Sequence, residues 1–147
     1  MAVGCPFITC AVKRKTIEFC WDCQEHQTCE KWRNHREYGK EHDTFKSYRR
    51  LEDNISSILE GGVERFENEQ RERERLLREM LKGFNEGRSK NYYCLAATFL
   101  EIKELRDTLN EARTQSRGLE IKEKSKILHA VLHRTAERKN HSLKLRK

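Results

Sequence analysis

Five of the six cysteines lie in the first 29 residues, spaced Cys5-x4-Cys10-x9-Cys20-x2-Cys23-x5-Cys29, and only Cys94 stands apart. A Cys-x2-Cys pair turns the backbone so that two thiolates converge at about 3.5 to 4 Å, the edge of a tetrahedron whose Zn–S bonds are about 2.3 Å. Disulfides are the rival chemistry, but five clustered thiols and a distant sixth make no tidy even framework. The run from Met1 to Cys10 has neither the basic region nor the apolar stretch of about 7 to 15 residues that marks a secretory leader. The expectation is a cytoplasmic chain, in which thiols stay reduced and a Cys-x2-Cys pair serves metal or redox chemistry.

Zinc takes four ligands, and this stretch offers five thiols and His26. Cys20 and Cys23 are the anchoring pair. Thr28 is placed to N-cap a helix beginning Cys29-Glu-Lys-Trp, so that Cys29 meets the positive helix end and free N–H groups that favour a metal-bound thiolate. Cys29 is therefore the third ligand. The fourth comes from Cys5 or Cys10, with Cys10 preferred because Cys5 sits close to a chain end prone to fraying. His26 is read as a solvent-exposed loop residue. Iron–sulfur ligation uses the same thiols, so spacing alone does not name the metal. The ferredoxin run Cys-x2-Cys-x2-Cys-x3-Cys-Pro is absent, and Cys20-Trp-Asp-Cys23 is not set in a strand-helix-strand pattern, which leaves zinc as the default and iron–sulfur or thiol redox chemistry as the alternative.

The runs Cys5-Pro-Phe-Ile-Thr-Cys10-Ala11, Ile17-Glu18-Phe19-Cys20-Trp-Asp-Cys23 and Cys29-Glu30-Lys31-Trp32 together resemble the cysteine-rich prokaryotic family known as domain of unknown function 3795, over about residues 4–35. The resemblance implies metal binding and no particular activity. Longer members carry a further cysteine-rich segment ahead of the position of Cys5, and in most members the interval before the last cysteine is one residue shorter, with proline where Thr28 stands.

Helices must carry these thiols and everything after them. One proline in 147 residues, 37% charged and 35% hydrophobic side chains describe a chain suited to long helices and a modest core. Glycines at 39, 61, 62, 83, 87 and 118 punctuate it. From Thr44, a plausible N-cap, Phe45, Tyr48, Leu51, Ile55, Ile58 and Leu59 recur at helical steps. Ser89 is expected to cap a helix in which Tyr92, Leu95, Phe99, Ile102, Leu105, Leu109 and Ala112 form one continuous stripe, and Cys94 beside it behaves as a small apolar residue. A last helix is expected from about Leu119 to Lys139, with Ile121, Leu128, Val131, Leu132 and Thr135 on one side. Between Val63 and Leu76 the only large apolar residue is Phe66, and the pairs Glu67/Arg71, Glu69/Arg73 and Glu74/Arg78 predict a solvated helix face. The expected fold is mainly α: a small N-terminal cysteine-rich zinc module, residues 1–38, followed by a helical domain, residues 39–147, built as a bundle or hairpin of three to four long helices.

The formal charge of +7 is uneven. Residues 1–29 balance, whereas residues 118–147 hold nine basic and three acidic side chains, a net +6. That segment, ending His141-Ser-Leu-Lys-Leu-Arg-Lys147, suits phosphates of nucleic acid or an acidic protein. No apolar run approaches the roughly 18 residues of a membrane span, so no membrane partner is expected, while the helical stripes leave room for a homo-oligomer. His129 and His133 stand one turn apart but lack the glutamate of a His-Glu-x-x-His protease, and are read as surface histidines. No phosphate-binding glycine loop or nucleophile elbow is present. The reading is a non-enzymatic zinc-binding module for nucleic acid or an acidic protein, with a redox or sensor protein and a helical adaptor as the alternatives.

Overall fold

The computed structural model describes residues 7–41 and 50–143. Cys5, Thr44, Phe45, Tyr48 and the terminal Lys144, Arg146 and Lys147 lie outside the described residues. The chain is mainly helical, with no strand among the described residues, and divides into two compact units, Met1–Asp53 and Asn54–Lys147.

In the first unit, a π-helical segment, Ile8–Lys15, ends on Thr16 at φ 55°, and a single 3-10 turn, Cys20–Asp22, leads through tight turns to helix α1, Glu30–Glu41. Of the hydrophobic residues described before Glu41, Ala11 and Trp32 are the buried ones. Phe7 meets Trp32 edge-on at 6.2 Å and lies 4.9 Å from the His35 ring, while the Arg36 guanidinium sits 6.0 Å from the Trp32 ring centre. Arg36 also grips Glu52 through both carboxylate oxygens, its Nε at 2.6 Å.

Helix α2 runs Leu51–Phe84 with one break, at Gly62, whose φ of 79° and ψ of 165° suit glycine alone. The glycine pair therefore interrupts the helix at its second member only. Gly83 stays helical, and the turn out of α2 is made by Gly87 at φ 105°. Helices α3 (Lys90–Phe99), α4 (Ile102–Gln115) and α5 (Ile121–Glu137) follow, the last two joined through Gly118 at φ 74° and packed along one another. Leu76, Met80 and Phe84 of α2, Tyr93, Ala96 and Ala97 of α3, Leu105, Leu109 and Ala112 of α4, and Leu128, Leu132 and Ala136 of α5 share one apolar core with Leu100 and Leu143. Ile121, expected on the inner face of α5, is instead 39% exposed.

The stripe expected to run unbroken from Tyr92 to Ala112 is divided at Leu100 and Glu101, both extended in ψ. A side chain of α2 meets the break. Arg73, expected on a solvated face, is buried, and its Nη1 donates to the carbonyls of Ala97 (3.0 Å) and Leu100 (2.5 Å), while Nη2 stands 3.8 Å from the Glu101 carboxylate. A guanidinium there satisfies carbonyls at the negative end of α3, and Glu101 opens α4 with both halves of a capping box to Glu104. Two helix ends replace what would have been one helix interior. With Arg73 turned inwards, Glu69 pairs with Arg65 at 3.3 Å, whereas the expected pairs Glu67/Arg71 (3.1 Å) and Glu74/Arg78 (2.6 Å) form as anticipated.

Candidate metal centre

The four described N-terminal thiols, Cys10, Cys20, Cys23 and Cys29, all line one cavity of about 330 Å³, together with His26, Lys15, Glu25 and Trp32. Each is a half-buried thiol outside any disulfide. Cys10 comes from the π-helical segment, Cys20 from the 3-10 turn, Cys23 from the turn's end and Cys29 from the mouth of α1. The cavity thus gathers thiols spread over twenty residues of sequence. Among the described residues, no three histidine, cysteine or acidic side chains are drawn close enough to hold a metal ion as they stand. The donor chemistry, soft thiols with one imidazole, is that of a zinc or iron–sulfur site. Cys5, the remaining expected ligand, lies outside the described residues.

The turns that set these thiols differ in detail from expectation. Arg33 N–H donates to the Cys29 carbonyl at 3.0 Å, so Cys29 itself takes the N-cap position of α1. Thr28, expected in that role, turns its hydroxyl back to the Glu25 carbonyl at 3.3 Å. Cys29 still stands at the positive end of the helix, as its N-cap rather than its first residue. His26, expected as a solvated loop residue, is half-buried in the cavity wall with Nδ1 2.9 Å from the Cys23 carbonyl oxygen. Lys15 spans the opening: its ammonium donates to Glu25 Oε2 at 2.7 Å and to Cys23 Sγ at 3.2 Å, and these two partners, the carboxylate first, hold its pKa above the ordinary lysine range.

The second unit has a polar cluster of its own. Ser89 stands at the N-cap of α3 but makes no capping bond; its hydroxyl lies 2.7 Å from Glu86 Oε2 and 2.7 Å from His129 Nε2. Ser125 donates to the same Glu86 oxygen at 2.5 Å, and Tyr93 donates to the Phe84 carbonyl at 3.0 Å. Because a carboxylate only accepts, the Ser89 proton belongs to Glu86, and His129 must then donate from Nε2 to the Ser89 oxygen. Ser89 is therefore not activated by His129 as a nucleophile would be; the cluster ties the loop before α3 to α5. The two serine hydroxyls hold the Glu86 carboxyl at about 2, and burial pushes the His129 imidazole below its ordinary value. His129, read from sequence as a surface histidine, stacks on the Tyr92 ring at 4.1 Å, whereas His133 is exposed and paired with Glu137 at 3.1 Å. No sequence signal marked the cluster, since Glu86, Ser89, Ser125 and His129 follow no shared spacing. Cys94 is half-buried on α3, with no part in the thiol cavity.

The basic segment is partly neutralised by α4: Arg134 reaches Glu111 at 2.5 Å and Lys139 reaches Glu104 at 3.4 Å. Nearer the start of α5, Lys122 and Lys126 join Arg88 around an open cavity of about 740 Å³ that has Ser89, Ser125 and His129 in its wall. Among the described residues, no helix is long and apolar enough to cross a membrane. No family model matches the chain, and neither a curated protein nor a solved structure is similar to it at a significant level. The resemblance of residues 4–35 to the cysteine-rich family thus rests on the motif residues themselves.

Proposed function

We propose that the protein is a non-enzymatic zinc-binding module that offers a basic C-terminal surface to nucleic-acid phosphates. The observation that carries the metal reading is the shared cavity: thiols from the π-helical segment, the 3-10 turn and the mouth of α1 face one space. Four half-buried thiols of this kind in a unit with so small an apolar core have a ready role as ligands, because metal ligation supplies folding free energy where burial cannot. The cysteine motifs that resemble the uncharacterised family favour the same reading. Lys122, Lys126 and Arg88 favour the phosphate partner, since they rim one opening, Lys126 sharing its ammonium with Glu123 at 2.8 Å, while Arg134 and Lys139 are paired with Glu111 and Glu104 of α4.

Elemental analysis of protein purified without oxygen tests the first half: one zinc per chain is expected, and iron with inorganic sulfide would transfer the site to redox chemistry. Cys20→Ala or Cys23→Ala abolishes stoichiometric metal binding, Cys29→Ala weakens it strongly, and Cys94→Ala leaves it unchanged. A full metal equivalent in the Cys20→Ala/Cys23→Ala double variant would refute the site. Binding to short RNA and DNA as salt rises tests the second half. The expected log–log slope is about 0.9 per phosphate neutralised on duplex DNA and about 0.7 on single strands. Neutralising Lys122 and Lys126 shallows that slope for all sequences alike. Metal-loaded protein that binds neither nucleic acid at low salt would leave an acidic protein as the partner of this surface.

A further inference from the structure

Resting on the metal reading above, we propose that His26, through Nε2, is the fourth ligand of the site, which is then Cys20, Cys23, His26 and Cys29, with Cys10 left as a free neighbouring thiol. The four residues stand at intervals of three, Cys20-x2-Cys23-x2-His26-x2-Cys29. The backbone of this stretch is built from successive i to i+3 hydrogen bonds: Asp22 N–H to Phe19 (3.1 Å), Cys23 to Cys20 (3.2 Å), His26 to Cys23 (2.9 Å) and Thr28 to Glu25 (3.1 Å). Cys23, extended at ψ 128°, separates the 3-10 turn from the turns that follow, so the chain doubles back within ten residues. All four line the same cavity.

The imidazole is oriented for the task. A carbonyl oxygen only accepts, so the 2.9 Å approach of His26 Nδ1 to the Cys23 carbonyl requires the proton on Nδ1 and leaves the lone pair of the neutral ring on Nε2. A ligating histidine almost always has its other ring nitrogen fixed this way, by a backbone carbonyl or carboxylate that sets tautomer and ring angle. Here the fixing carbonyl belongs to a ligand, Cys23, so one peptide group orients two donors. Cys10 lies across an interval of nine residues from Cys20, in a different helical segment, whereas His26 closes the set within a ten-residue stretch at lower loop-closure cost.

The test loads the full chain, freed of metal under anaerobic conditions, with Co²⁺ for optical spectra and with ¹¹³Cd²⁺ for nuclear magnetic resonance of ¹⁵N-histidine-labelled protein. The expected result is one metal per chain with the ligand-field and charge-transfer bands of three thiolates and one nitrogen, and one-bond coupling from cadmium to His26 Nε2. His26→Gln then weakens Co²⁺ binding by about tenfold or more, a loss at least as large as that caused by removing outer-shell partners. His26→Cys restores tight binding with a four-thiolate spectrum, and Cys10→Ser changes neither stoichiometry nor bands. If wild-type protein shows a four-thiolate spectrum that His26→Gln leaves intact and Cys10→Ser alters, His26 is not a ligand and the metal reading survives. If wild-type protein takes up neither metal, both readings fall.

Discussion

Among the described hydrophobic residues before Glu41, Ala11 and Trp32 are buried, while the second unit gathers side chains from α2, α3, α4 and α5 into one continuous core. The contrast is in what holds each unit together. In the second unit, apolar area removed from water at about 25 cal/mol per Å² supplies the stability, and polar groups are arranged around it. The first unit instead turns four half-buried thiols and an imidazole towards a shared space, and short i to i+3 turns rather than long helices set their positions. On the proposed metal reading, a unit built this way depends on what its donors bind.

The comparison is broken most severely from the side of the core. Leu132→Ala, at a position 0% exposed, is expected to cost the helical unit about 2 to 5 kcal/mol. Urea unfolding followed by far-ultraviolet circular dichroism measures that loss, and metal stoichiometry at the N-terminal thiols should not change. Coupled loss of metal would show that the first unit draws its order from the second.

The next effect concerns Arg73, a buried cation in an otherwise apolar setting. Arg73→Met leaves the carbonyls of Ala97 and Leu100 without their side-chain donor and is expected to cost about 1 to 3 kcal/mol. Arg71→Met, at an exposed partner of Glu67, stays within about 0.5 kcal/mol of wild type. Equal losses in the two variants would mean that the break between α3 and α4 is held by something other than the guanidinium.

A smaller effect follows from pH. Burial lowers the His129 pKa in the folded state, so as pH falls below about 6.5 the unfolded chain takes up a proton that the folded chain resists. Stability of the helical unit is full above that pH and declines below it, by at most about 1.4 kcal/mol per pH unit for one proton. His129→Gln removes this slope whatever it does to the baseline. Glu86, held at about 2 by Ser125 and Ser89, adds a second decline, from the ordinary carboxylate range near 4 down towards 2. Chemical denaturation at a series of pH values separates the two. The smallest effect belongs to the exposed ladder of α2, where Glu74→Ala removes the pair with Arg78 at about 0.2 to 0.5 kcal/mol.

Periodicity made the helices legible, because a buried stripe leaves a trace at every third or fourth residue whichever partner covers it. Leu105, Leu109, Ala112, Leu128, Val131 and Leu132 all fall where their spacing placed them. The break at Leu100 and Glu101 was not legible: it carries no glycine or proline, and the guanidinium that meets it comes from 27 residues before Leu100, on another helix. Charge pairing along one helix likewise put Arg73 with Glu69, because local spacing contains nothing about a carbonyl on a neighbour. At the candidate site, the spacing of Cys20, Cys23 and Cys29 pointed to a common function. The orientation of His26 depended on a backbone carbonyl whose direction no residue type announces. His129 was misplaced for the same reason, its partners Ser89 and Tyr92 lying 40 and 37 residues away.

The most direct test of metal-dependent order in the first unit is a residue-resolved amide spectrum of the full chain, recorded on protein purified without oxygen and again after chelation. The account predicts dispersed signals from residues 8–41 that collapse to unfolded positions when metal is removed, while signals from residues 54–143 stay where they were. Purified protein that holds no metal and still gives dispersed, protected signals for residues 8–41 would contradict it.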